Sequence, residues 1–325
     1  MRCSYCSIVK DYENKPKEYP DMKYYHLNER DSLYWIEVLL RLKKHNKDVF
    51  VIFYGGEPLL YNNLYKLIIF CNDENINYTI ISNNTDSVQD RISDLFEKVG
   101  ELKGFTSSVD PLIYEYNRDS DQFKKSYSAM SRLSYHTTNT NDVVAEITVT
   151  KDTLKYLEVL IKDLSKAHIY SSVTFVDFKY SKYYDFSNVS IDKKEDISYE
   201  EAKEVFNNII KKQKDGKYLI HMPDVVLPKL LKSLENPLSC EQDFHLNNIT
   251  IDSDGSIRTC LRIRGIETPK FNFYDYIDEN GIIHNSLQDN ISEDIHNLCL
   301  GCNWTCTEMS KFISQQPDEL VKLTH

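Results

Sequence analysis

The chain has no long hydrophobic run. Its longest unbroken apolar and aromatic stretch is VFVIFY, residues 49–54 of 325, far short of the roughly 18 residues that a membrane span requires. No basic-then-apolar leader opens the sequence, so the expectation is a soluble, cytoplasmic protein. Blocks of like charge are missing too: 39 Lys and Arg stand against 50 Asp and Glu, a net charge of −11 with the signs interspersed. Such a surface is poorly suited to a polyphosphate backbone, which argues against nucleic-acid binding. No internal repeat or low-complexity tract is present, and the nine histidines form no H-x-x-x-H or H-x-x-H pair. Histidine therefore receives no metal role, and His221 and His245 read as structural.

Cysteine is what the chain has in quantity. Its eight cysteines are Cys3, Cys6, Cys71, Cys240, Cys260, Cys299, Cys302 and Cys306. In a cytosolic protein thiols stay reduced, and clustered cysteines more often bind metal or do redox chemistry than form disulfides. Cys71 lies alone in the apolar stretch KLIIFCNDEN and reads as an inert buried thiol. Many of the 23 tyrosines sit in polar stretches such as DMKYY and KYSKYYD, where a substrate groove and plain surface are both open readings.

A chain of this length buries a full core as one large domain with an appendage, or as two modest domains. From Arg30 to about Phe178 short apolar runs alternate with helical stripes, the pattern of helix and strand units around a parallel sheet. The strands are expected at 49–54, 78–83, 104–109, 143–150 and 172–178. Helical stripes run through Val88, Ile92, Leu95, Phe96 and Val99, and through Leu154, Leu157, Leu160, Ile161 and Leu164. A polar insertion at about 179–194 follows, then helical patterns at 199–213 and 224–235. Beyond Cys240, NNITIDSDGSIRTC alternates apolar and polar residues around Asp254-Gly255, a hairpin signal.

Two constellations carry chemistry. Cys3 and Cys6 form C-x-x-C with Tyr5 between them, and FYGGEPLL follows the first expected strand. Gly55 and Gly56 let the backbone approach a ligand, Glu57 supplies a carboxylate and Pro58 stiffens the exit. In barrel-like α/β folds the C-terminal ends of strands are where active sites are built. A Gly-Gly turn with an incidental acid is the bland alternative for this loop taken alone.

Together, C-x-Φ-C and GGEP resemble the radical S-adenosylmethionine enzymes, over about residues 1–180. The resemblance implies an α/β fold, a partial (β/α)6 TIM-like barrel. It implies that Cys3 and Cys6 ligate a 4Fe-4S cluster with one open iron for S-adenosylmethionine, a use that suits soft thiolates. The GGEP loop would hold the amino group of the cofactor and Tyr5 would cover its adenine. Asn83, Ser108 and Thr150, at the ends of the second, third and fourth expected strands, would contact its ribose or carboxylate; as bare polar residues they serve equally as helix caps. The family pattern C-x-x-x-C-x-Φ-C puts its first cysteine four residues before Cys3, two positions upstream of Met1. Met1 is therefore expected to be an internal methionine of a longer natural sequence, with the first barrel strand missing.

In the tail, Cys240 is followed by fourteen residues, Gly255, four residues and Cys260, then by C-x-x-C-x-x-x-C at Cys299, Cys302 and Cys306. This order is similar to the SPASM and Twitch extensions of radical enzymes. The similarity implies an auxiliary 4Fe-4S cluster on Cys240, Cys260, Cys299 and Cys302, with Cys306 either a substitute ligand or a free thiol. A structural tetrahedral zinc site would use the same four thiolates. The expected organisation is a barrel core at 1–183, a helical connection at 184–239 and a small cysteine-rich β-hairpin/helix domain at 240–325.

The function implied is reductive cleavage of S-adenosylmethionine to a 5'-deoxyadenosyl radical, followed by hydrogen-atom abstraction from a substrate, with flavodoxin or ferredoxin as reductant. A peptide is the favoured substrate, as in a peptide maturase. Oxidation of a small molecule by a dehydrogenase of the same family is an alternative, and so is an inactive zinc or Fe-S binding module, given the absent first cysteine. The tail is expected to bind metal independently of the amino terminus. After anaerobic reconstitution with iron and sulfide, a Cys3→Ala/Cys6→Ala double variant should keep about four irons per chain; tightly bound zinc with no iron would replace the auxiliary cluster by a structural site.

Overall fold

The computed structural model describes residues 29–55, 57–84, 86–109, 127–131, 143–175, 197–236, 249–258 and 271–284. Helix α1 (Ser32–His45) leads into β1 (Phe50–Phe53), a 3-10 turn at Pro58–Leu60, α2 (Leu64–Asp73) and β2 (Asn77–Ser82). Then come α3 (Asp86–Val99), β3 (Phe105–Ser108), β4 (Val143–Val149), α4 (Leu154–Lys166) and β5 (Tyr170–Phe175). The five strands form one sheet in the order β1-β2-β3-β4-β5, and every neighbouring pair is parallel. All five expected strands are present, within two or three residues of their expected ends.

Alternation fixes which face of the sheet meets the helices. Tyr78 and Ile80 on β2, Phe105 on β3, Ala145, Ile147 and Val149 on β4, and Val173 and Phe175 on β5 are buried in one core with Leu157, Leu160, Ile161 and Leu164 of α4. Cys71 of α2 is fully buried in that core, where burial pushes its thiol up to about 12; it is inert at neutral pH. Helices α5 (Tyr199–Lys214) and α6 (Val226–Ser233) add Phe206, Ile209, Leu227 and Leu230 to it. The rings of Phe175 and Phe206 lie 5.0 Å apart. Helix α5 begins in a capping box: the Ser198 backbone N–H donates to Glu201 Oε2 at 2.8 Å, and Glu201 N–H donates to Ser198 Oγ at 3.3 Å.

The opposite face of the sheet is different. Thr79, Thr106, Ser108, Glu146, Thr148, Ser172 and Thr174 point there and keep some exposure, together with Ile81, Tyr170 and the exposed Phe50 and Ile52 of β1, while Val144 on the same face is buried. Across β3, β4 and β5 this face is largely polar and half-exposed, whereas parallel sheets are ordinarily covered on both sides by apolar contacts.

The expected hairpin exists as β6 (Thr250–Ile251) and β7 (Ser256–Arg258), and β8 (Phe271–Asn272) completes an antiparallel three-stranded sheet before the short helix α7 (Phe273–Tyr276). This unit docks along α1. Ile257, Phe273, Tyr276 and Ile277 form a second core with Val38, and Tyr34, Trp35 and Leu42 pack against it. Arg30 Nε donates to the Asp254 carbonyl at 2.8 Å, and Arg41 donates to the Ile277 carbonyl at 3.0 Å while lying 4.4 Å from the Tyr274 ring. Among the described residues no helix is long and apolar enough to cross a membrane.

Gly255 makes this docking possible. Its φ is +85°, and a Cβ there would overlap the Tyr34 side chain, with Cζ at 2.7 Å. Gly255→Ala should therefore lower stability by about 1–3 kcal/mol, from backbone strain and overpacking together, read as a lower urea midpoint. A midpoint equal to that of the parent chain would mean that the hairpin is not tightly seated on α1.

Candidate functional site

The loop after β1 is held by its own carboxylate. Glu57 Oε1 accepts from Leu59 N–H at 3.1 Å and from the Ser82 hydroxyl at 3.0 Å, and Oε2 accepts from Asn83 N–H at 2.8 Å. The first bond caps the 3-10 turn that Pro58 begins, and the other two tie the loop to the C-terminal end of β2. Burial raises the Glu57 pKa, and the three donors pull it back. Arg91 of α3 closes the turn from outside by donating to the Leu59 carbonyl at 3.3 Å.

The chain of bonds continues across the sheet. Ser82 Oγ also accepts from Asn84 N–H at 3.0 Å, and Asn84 Nδ2 donates to Ser107 Oγ at 3.1 Å. Ser82, Asn84 and Ser107 are buried, and Asn84 adopts a left-handed φ of +48°, which asparagine tolerates better than most residues. The ends of β1, β2 and β3 are thus locked together by polar side chains.

Above this lock lie groups open to a ligand. Gly55 is exposed with φ +144°, and a Cβ there would meet nothing within 4 Å. Conformation rather than crowding selects glycine at this position. Ser108 is exposed at the end of β3 and Asn83 is half-buried at the end of β2. Thr150 lies beyond β4, where its hydroxyl donates to Thr153 Oγ1 at 3.1 Å and its N–H donates to the same oxygen at 2.8 Å, shaping the turn into α4. Gly56, Tyr5, Cys3, Cys6, Cys240, Cys260, Cys299, Cys302 and Cys306 lie outside the described residues. Among the described residues no group of three or more His, Cys, Asp or Glu is placed to hold a metal ion.

One expectation changes. In sequence Glu57 stands as a carboxylate of a ligand-binding loop, and in the structure that carboxylate joins two strand ends and a turn. Within the described residues the contacts of its acid are to the protein itself. The reading also passes over Glu146, the single charged residue in the strand VVAEITVT, whose signal is an acid inside an otherwise buried-strand pattern.

No family model matches the chain, and no curated protein matches it in sequence. Solved structures do. Streptococcus suis SuiB bound to S-adenosylmethionine matches 81% of the chain with a TM-score of 0.55 at 16% identity, and the match spans 61% of SuiB. SuiB bound to its precursor peptide SuiA matches 79% of the chain with a TM-score of 0.54 at 15% identity, spanning 60% of that protein. The chain shares the fold of SuiB. Histidine-tagged anSMEcpe with bound AdoMet matches 91% of the chain and 86% of its own length, with a TM-score of 0.51 at 16% identity. The fold is therefore one on which two proteins have been solved with S-adenosylmethionine bound, although the chain spans only about three fifths of the length of SuiB.

The clamp is directly testable. In Glu57→Gln an amide NH2 must face either Asn83 N–H or Leu59 N–H, so at least one backbone donor loses its acceptor. The variant should lose about 1–3 kcal/mol of stability, seen as a lower urea midpoint at neutral pH, and a parental midpoint would make the clamp incidental.

Proposed function

We propose that the chain is a radical S-adenosylmethionine enzyme acting on a peptide. The observation that carries this reading is the position of the GGEP loop. It sits at the C-terminal end of a parallel strand, locked to the neighbouring strand end by Glu57, at the rim of a half-exposed polar sheet face. The fold shared with S-adenosylmethionine-bound SuiB and anSMEcpe, and with SuiB bound to a precursor peptide, supports it.

The residues present suit that cofactor. Gly55 and Gly56 offer backbone groups to the amino and carboxylate ends of the methionyl moiety, and Pro58 fixes the loop's exit. Ser108 and Asn83 stand on the adjacent strand ends for ribose or carboxylate, and the Thr150 oxygen remains an acceptor at the fourth. Cys3 and Cys6 would ligate the catalytic 4Fe-4S cluster, and Tyr5 between them would cover the adenine. Cys240, Cys260, Cys299 and Cys302 would hold an auxiliary 4Fe-4S cluster, with Cys306 a substitute ligand or a free thiol. When bound, the catalytic cluster supplies the electron that cleaves the sulfonium to a 5'-deoxyadenosyl radical. The protein's part is to fix the cofactor at the strand ends and to present the substrate over the polar face. The electron itself comes from a flavodoxin or ferredoxin.

Reductive cleavage tests this reading. A chain carrying a cysteine four residues before Cys3, reconstituted anaerobically and treated with dithionite, should convert S-adenosylmethionine to 5'-deoxyadenosine. Its Cys3→Ala/Cys6→Ala variant should not. Absence of 5'-deoxyadenosine from protein with a full iron complement would overturn the radical mechanism.

A further inference from the structure

Glu146 sits in the middle of β4 on the polar face. Its register partners are Ser108 on β3 and Ser172 on β5, so a Ser-Glu-Ser row crosses three adjacent strands. Its neighbours along the strand, Ala145 and Ile147, point the other way into the helix-covered core and are fully buried. The acid therefore faces the side on which the GGEP loop, Asn83 and Ser108 form a rim.

Among the described residues, neutral groups satisfy this carboxyl. Thr174 Oγ1 donates to Glu146 Oε1 at 2.8 Å, and Ser172, its register partner on β5, is near enough for its hydroxyl to favour the charged form. Among the described residues no Lys, Arg or His forms an ion pair with it, and no charged side chain contributes to its electrostatics. The residue as a whole is of intermediate exposure, yet protein packs densely around the carboxyl, and that burial raises its pKa. A carboxylate desolvated against hydroxyls alone disfavours folding relative to a threonine or valine in the same strand. An acid in a half-open polar face, with no cation of its own, is suited to a cation brought from outside.

We propose that Glu146 anchors a positively charged nitrogen of the substrate, a lysyl or arginyl side chain or a free amine, over the open face of the sheet. A cation there completes the pair that the described residues leave open, and Ser108 and Ser172 flank it with hydroxyls that can donate or accept. An anionic group would meet like charge, and a neutral one would leave the carboxylate without a counter-charge. Glu146 is thus a specificity-determining residue. The assignment rests on the proposed function only in taking this face as the substrate side; the juxtaposition of Ser108, Glu146, Ser172 and Thr174 stands without it.

The test uses the reconstituted chain with S-adenosylmethionine present, and two probes: the capped peptide acetyl-Gly-Lys-Gly-amide and the same peptide with its lysine acetylated. The lysyl peptide should bind about tenfold or more tightly than the acetylated one, as a charged hydrogen-bonded pair implies. In Glu146→Gln, which retains an oxygen for Thr174, the two peptides should bind alike, and S-adenosylmethionine affinity should match the parent chain. Equal affinity of the two peptides for the parent chain, or no measurable binding of either, overturns the proposal. So does loss of S-adenosylmethionine binding in Glu146→Gln, because the carboxylate would then belong to the cofactor. Failure of the parent chain to bind S-adenosylmethionine counts against the proposed function instead, and the peptide comparison repeated without cofactor still judges Glu146.

Discussion

Three donors converge on the carboxylate of Glu57, and the order of the site follows from them. The loop after β1 contains two glycines, and such a loop left to itself samples many conformations. Bonds from Leu59, Ser82 and Asn83 hold its far end against the end of β2. Ser82 passes the constraint to Asn84, and Asn84 passes it to Ser107 on β3. Because these groups are largely withdrawn from water, each bond is costly to leave unmade. The rim of the polar face is therefore shaped before any ligand arrives.

Helix α1 joins this sheet to the carboxy-terminal unit by having two working faces. Leu39 enters the main core, and Lys43 bonds Glu74 at the end of α2 at 2.8 Å. On the other side Tyr34, Trp35, Val38 and Leu42 meet the three-stranded sheet and α7. The Tyr54 hydroxyl lies 3.0 Å from the Thr250 hydroxyl, so the small sheet touches the chain one residue before Gly55. The hairpin that leads into the cysteine-rich segment is thereby positioned beside the candidate site by packing on α1 and by the hydrogen bonds of Arg30, Arg41 and Tyr54.

The five strands and the main helices were legible because a buried parallel sheet imposes continuous apolar runs, and its helices impose a 3.6-residue stripe. The hairpin was legible because Asp254-Gly255 supplies the positive φ that such a turn demands. The loop at Gly55 and Glu57 was legible as a motif, but the work of its acid was not. Glu57 meets Ser82 and Asn83 only when two strands align, and that long-range register leaves no local mark in sequence. Glu146 was missed for a related reason. A single acid in a strand looks like an exception to a pattern until the register sets it between Ser108 and Ser172.

The central claim is that S-adenosylmethionine binds at the rim of the polar face, beside Gly55 and the clamped loop. Ser108→Trp places a bulky ring at an exposed position on that rim, and Val159→Trp places one at an exposed position of α4, on the helix layer. Equilibrium binding of S-adenosylmethionine to anaerobically reconstituted protein should weaken at least about tenfold in Ser108→Trp, the loss of a well-made polar contact, and stay at the parental value in Val159→Trp. Equal affinity in all three proteins would place the cofactor away from this face and contradict the account.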